Sequence, residues 1–230
     1  MSREATALRL GVVGAWVAAL AAALWTVAEP GQAALALLVL AGAMIAAGVL
    51  WLELSVTSAK ELALVATIAG AAAAGRVLFA PVPSVQPLTV MIVATGVALG
   101  ARAGILAGGI AAIASDLFLG IGPWTPWYVL AWGGCGALGA AARPLLRRRI
   151  PFALACFVLG FAFSALMDGW EWFSFYPHTP QALAAVYAKG FPFEAAHAIG
   201  NFLIALAIGP ELRRLLERFG RRIHTEVLWE

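Results

Sequence analysis

Glu194, His197 and Asn201 recur at i, i+3 and i+7 within an otherwise apolar run. On a helix this spacing puts a carboxyl, an imidazole and an amide on one face. Such a strip can hydrogen-bond a polar ligand, or it can tie helices together. A Glu–His pair also suits a metal, but no second His or Cys falls within reach, so neither a metal nor a cofactor is expected. Asp168 and Glu171, at i and i+3, could coordinate a cationic or amide-rich ligand, or simply stand at a water interface. Asp116, next to Ser115, lies near the end of one apolar segment, and Arg76 lies near the end of another. They could neutralise each other, or the planar fork of Arg76 could hold a ligand carboxylate or phosphate. Two proline-rich turns add further candidates. The first, Ala80-Pro81-Val82-Pro83-Ser84-Val85-Gln86-Pro87, carries Gln86. The second, Gly120-Ile121-Gly122-Pro123-Trp124-Thr125-Pro126-Trp127, carries Trp124 and Trp127, which could stack a planar ligand or join an aromatic belt.

Several chemistries lack their residues. No phosphate-cradling Gly-rich loop ends in Gly-Lys-Ser/Thr, so the chain is not expected to hydrolyse ATP. No Gly-x-Ser-x-Gly elbow and no Ser–His dyad are present. The reading is therefore of a binding protein rather than an enzyme. Two rivals stay open: a membrane enzyme using Asp168, Glu171 and His197 as acid–base groups, and a structural assembly protein.

The elements that must position these groups are membrane helices. Of 230 residues, 63% are hydrophobic and 12% charged, too few charges to solvate a soluble domain of this size. Several apolar runs reach the roughly 20 residues that cross a ~30 Å hydrocarbon core. The sequence predicts an all-α polytopic bundle of eight helices, near 8–28, 32–54, 60–80, 86–100, 102–119, 125–142, 150–172 and 190–210. Residues 1–58 read as a two-helix anchor and 59–215 as a six-helix core. Residues 216–230 read as a basic helical tail, and residues 173–189 as a polar connection. Cys135 and Cys156 read as small packing residues.

Thirteen of the fifteen Lys and Arg fall on one side if both termini are cytoplasmic, leaving Arg76 and Lys189 outside. The positive-inside rule therefore predicts an N-in/C-in topology with both proline-rich turns outward. It also accounts for the net charge of +3 without nucleic acid. Ionisable groups within a bilayer cost roughly 2.5–3.5 kcal/mol each on insertion scales. Arg76, Asp116, Asp168, Glu171, Glu194 and His197 nonetheless gather toward the outer ends, which describes a cup open to the outside.

The core resembles the substrate-binding S component of energy-coupling factor (ECF) vitamin transporters. The resemblance rests on Arg76 to Phe79, Pro83-Ser84-Val85-Gln86-Pro87, Thr95 through Gly100, Gly104 and Gly108. It continues through Ser115-Asp116, Gly120 through Trp127, Ala131-Trp132-Gly133, Gly136, and Phe193 through Asn201, and covers about residues 60–215. It implies a subunit of a bacterial inner (cytoplasmic) membrane importer of the ABC class that captures a vitamin or related micronutrient outside. Cobalamin or a precursor is favoured, with the pyrimidine moiety of thiamine next. A separate transmembrane coupling protein and two ATPase subunits would drive release inward. The resemblance further implies that small residues on two core helices meet the coupling protein, here Ala66, Gly70 and Ala74 with Gly104, Gly108 and Ala112.

Overall fold

The structure, a computed structural model, describes residues 59–226 and five isolated positions before them. The chain divides into two compact units, Met1–Ala59 and Lys60–Glu230. The expected helices at 8–28 and 32–54 lie outside the described residues. The second unit is all-helical among the described residues: α1 (Ala59–Leu78), α2 (Leu88–Leu99), α3 (Ala101–Leu119), α4 (Thr125–Ala141), a 3-10 turn (Leu145–Arg147), α5 (Arg149–Phe175) and α6 (Pro180–Glu226). Four of these, α1, α3, α5 and α6, are long and apolar enough to cross a membrane. This is a membrane protein.

At 12 residues, α2 spans only about 18 Å. Its sequence is apolar all round, the pattern of a helix enclosed on every side. Leu88, Val90, Ile92, Val93 and Val97 are each completely buried, and α2 packs against α3, α4 and α6. On α1 the buried residues are Val65, Ile68, Ala69, Ala72, Ala73 and Arg76, the i, i+3, i+4 spacing of a single core-facing stripe. That stripe ends in the one charged member, which brings Arg76 to the same depth as the end of α3.

Two expectations are corrected here. The polar connection anticipated at 173–189 shrinks to Tyr176–Thr179, because α6 already begins at Pro180. The Thr179 hydroxyl accepts from the Ala182 amide at 3.2 Å and its carbonyl from Leu183 at 3.0 Å. Thr-Pro thus caps a helix start where polar composition reads as loop. The helix then continues through Pro192 and Pro210 into the basic tail without a break.

The second correction concerns the small-residue strips. Gly104, Gly108 and Ala112 are buried within this chain. A Cβ on Gly104 would lie 2.9 Å from Gly136 Cα, and one on Gly108 would lie 2.6 Å from the Trp132 carbonyl. Close backbone approach in lipid needs residues this small, and here α4 uses them, so that strip is not free for another protein. Ala66, Gly70 and Ala74 lie on the opposite face of α1 from the core and are exposed.

Candidate functional site

Two polar clusters form, one where α1, α3 and α4 meet the proline-rich turns and one between α5 and α6. The first is a closed network. Arg76 Nη1 donates to Asp116 Oδ1 at 2.5 Å and to Ser115 Oγ at 2.6 Å. The other Asp116 oxygen accepts from the Thr125 hydroxyl at 2.6 Å. The guanidinium also lies over two rings, 4.7 Å from the Tyr128 centroid and 4.9 Å from that of Trp132. A buried ion pair is tolerable when its remaining hydrogen-bond capacity is met, and α3 and α4 meet much of it. This matches the salt-bridge alternative for Arg76 and Asp116.

Trp132 extends the network inward. Its indole N–H donates to the Thr89 hydroxyl at 3.2 Å, and that hydroxyl stands 3.4 Å from His197 Nε2. His197 Nδ1 is 2.8 Å from the Ser84 carbonyl. A carbonyl only accepts, so Nδ1 carries the proton and Nε2 is left to accept from Thr89. His197, 3% exposed, therefore fastens α6 to the first proline-rich turn. It does so at Ser84, whose φ of 60° is the one positive value on a non-glycine residue among those described. Phe163 of α5 stacks on Trp132 with 4.6 Å between centroids and tilts against His197 at 5.4 Å.

The second cluster is open. The Asp168 and Glu194 carboxyls face each other across α5 and α6. They can share a proton, but apart from one another their shielded oxygens, Asp168 Oδ2 and Glu194 Oε1, find no hydrogen-bond donor among the described residues. Glu194 is only 7% exposed, while Asp168 is half-buried nearer the helix ends. The contact depends on Gly190, where a Cβ would come within 2.2 Å of Asp168 Oδ2. One turn further out, Glu171 pairs with Lys189 at 3.3 Å and accepts from the Tyr176 hydroxyl at 3.3 Å. Tyr187 bonds the Ala165 carbonyl at 2.8 Å, fastening the same seam.

The other candidates separate. Asn201 is fully buried in the tight α5–α6 contact, its Nδ2 2.9 Å from where a Cβ on Gly160 would lie, and neither amide atom has a partner among the described residues. Trp124 folds back over its own turn, its N–H donating to the Gly120 carbonyl at 3.3 Å and its ring lying on Gly122. Trp127 is half-buried, and its shielded indole N–H is unpartnered among the described residues. Gln86 is half-buried in the first turn.

Sequence reasoning did not single out Thr89, Tyr128, Phe163 or Tyr187. A lone Thr at the head of an apolar helix, and a Tyr one turn beyond Trp124, were the available signals for two of them. Among the described residues no group of three or more His, Cys, Asp or Glu is placed to hold a metal ion.

Comparison with known proteins gives a family and little else. No curated protein and no solved structure matches the chain. A family model matches residues 55–209, two thirds of the sequence, and the chain accordingly belongs to DUF6580, a family of unknown function.

Proposed function

We propose that this DUF6580 member is the substrate-capture subunit of an ECF-type ABC importer in a bacterial inner membrane. It binds a vitamin or related micronutrient at the end bearing the proline-rich turns and passes it to a separate coupling protein and two ATPase subunits. The observation that carries this reading is the Glu194–Asp168 pair, two carboxyls whose shielded oxygens have no donor other than one another. Two acidic groups held together without a paired cation are costly, and intramembrane ionisable groups of this kind mark solute or ion pathways. The closed network beside it supplies a rigid wall, which is what a preorganised site requires.

Charge supports a ligand class. Among the described residues, this end carries Arg76 and Lys189 against Asp116, Asp168, Glu171 and Glu194. Arg76 is engaged with Asp116 and Lys189 with Glu171, and His197 directs its one N–H at Ser84. The unmet atoms of the open cluster are carboxyl oxygens, which accept from N–H donors. A ligand bearing ammonium, amidinium or several amide N–H groups fits, whereas a carboxylate or phosphate would find no uncommitted cation. This agrees with an amide-rich compound such as cobalamin or a precursor, with a thiamine-type pyrimidine next.

The acid–base alternative is less well supported, because His197 has both ring nitrogens engaged and Glu171 is paired away from it. The test is uptake by proteoliposomes holding this chain, an ECF coupling protein and both ATPases. Accumulation of a vitamin that needs this chain and ATP hydrolysis supports the proposal. Equal uptake without the chain, across a vitamin panel, refutes it.

A further inference from the structure

A groove of about 430 Å³ opens between the end of α4 and the start of α5, lined by no residue of the carboxyl pair. Leu138, Ala141, Ala142, Leu146, Ala155, Val158 and Leu159 line it, and every one is apolar. Its wall includes the loop that carries Arg143, Arg147 and Arg148, all exposed. Neighbouring arginines are committed elsewhere: Arg149 and Arg214 to Glu211, and Arg213 to Glu217. The side chains of Arg143, Arg147 and Arg148 have no acidic partner among the described residues. From Arg148 to Leu159, α5 rises about 16 Å, close to the roughly 15 Å depth of one leaflet. A charged rim thus stands one acyl-chain length above the floor of an apolar slot.

We infer that this groove is a binding site for one anionic phospholipid, its phosphate held by Arg143, Arg147 and Arg148 and one acyl chain laid between α4 and α5. Guanidinium groups are suited to phosphate because their planar N–H fork matches its oxygens. A basic cluster beside a membrane helix attracts anionic headgroups in any case. The groove adds a shaped seat that a diffuse charge lacks. The inference is independent of what the opposite end of the molecule binds.

The test is native mass spectrometry of the full chain released from nanodiscs of equimolar phosphatidylglycerol and phosphatidylcholine. One phosphatidylglycerol should be retained at least fivefold over phosphatidylcholine. Replacing Arg143, Arg147 and Arg148 together by Gln should abolish that preference, whereas replacing exposed Arg218 and Arg222 should preserve it. Val158→Trp, at an exposed position on the groove wall, should displace the retained lipid with the arginines intact. Soluble glycerophosphoglycerol should not compete. Equal retention of the two lipids overturns the site. So does equal loss from the tail variant, retention in Val158→Trp, or displacement by the soluble headgroup.

Discussion

The Arg76–Asp116 pair permits a quantitative test of whether the closed network is structural. At 2.5 Å and an effective dielectric of about 20, the gross attraction between two unit charges is about 7 kcal/mol. Desolvating both groups offsets most of it. Removing one partner leaves the other buried and unpaired, which typically costs about 3–5 kcal/mol. Arg76→Met should fall near the upper end of that range, since it also abandons two aromatic faces worth about 1–2 kcal/mol. Asp116→Leu should lie slightly lower, with about 1 kcal/mol of its loss due to the Thr125 hydrogen bond. The double variant should be less destabilised than either single one, because an apolar pair of similar size is often neutral in such a site. Reversible unfolding in mixed micelles, followed by circular dichroism, gives all three values. Additive losses, or single losses under about 1 kcal/mol, would refute the argument that these charges serve each other.

Three further outcomes follow from local geometry. Gly136→Ala should destabilise by about 2–3 kcal/mol, since its Cβ would meet Gly104 backbone that cannot swing aside; Gly70→Ala, which meets nothing within 4 Å, should be neutral or gain up to about 1 kcal/mol in the same unfolding assay. His197→Ala should cost about 1–3 kcal/mol of stability by stranding the Ser84 carbonyl; limited proteolysis should then cut the 79–87 turn faster, with ligand affinity changed less than by substitution at Glu194. Gly190→Ala, which drives a methyl into the Asp168 carboxyl, should weaken ligand binding about tenfold, read by thermal-shift titration, while an unchanged affinity would remove Asp168 from the site.

Much of the helical frame was legible because its signals are strong ones. Apolar runs, Gly100 at the short link and Pro at the turns mark α1 to α4 closely. The beginning of α6 was not legible, because Lys189, Tyr187 and Thr179 read as a loop until the Thr-Pro cap and the seam with α5 are seen. The depth of Arg76, Asp116 and His197 followed from their places near helix ends, and the Arg76–Asp116 pair was one of two readings open there, but nothing in the spacing pointed His197 to Ser84 and Thr89. Whether the guanidinium takes the Asp116 carboxyl or a ligand anion depends on helix rotation, and spacing alone leaves that free. The same limit applies to Gly104 and Gly108: the sequence marks a close-packing face without saying whether the partner is α4 or another chain.

Capture at this end requires that a solute supply the donors that Glu194 and Asp168 lack beyond one another. Native mass spectrometry of the intact protein, purified gently from cells supplied with a vitamin mixture, addresses this most directly when wild type and Glu194→Gln are compared. A single small molecule bearing cationic or multiple N–H groups should remain on the wild type and be lost at least tenfold from the variant. A bare wild-type mass, or equal occupancy of the two proteins, would contradict it.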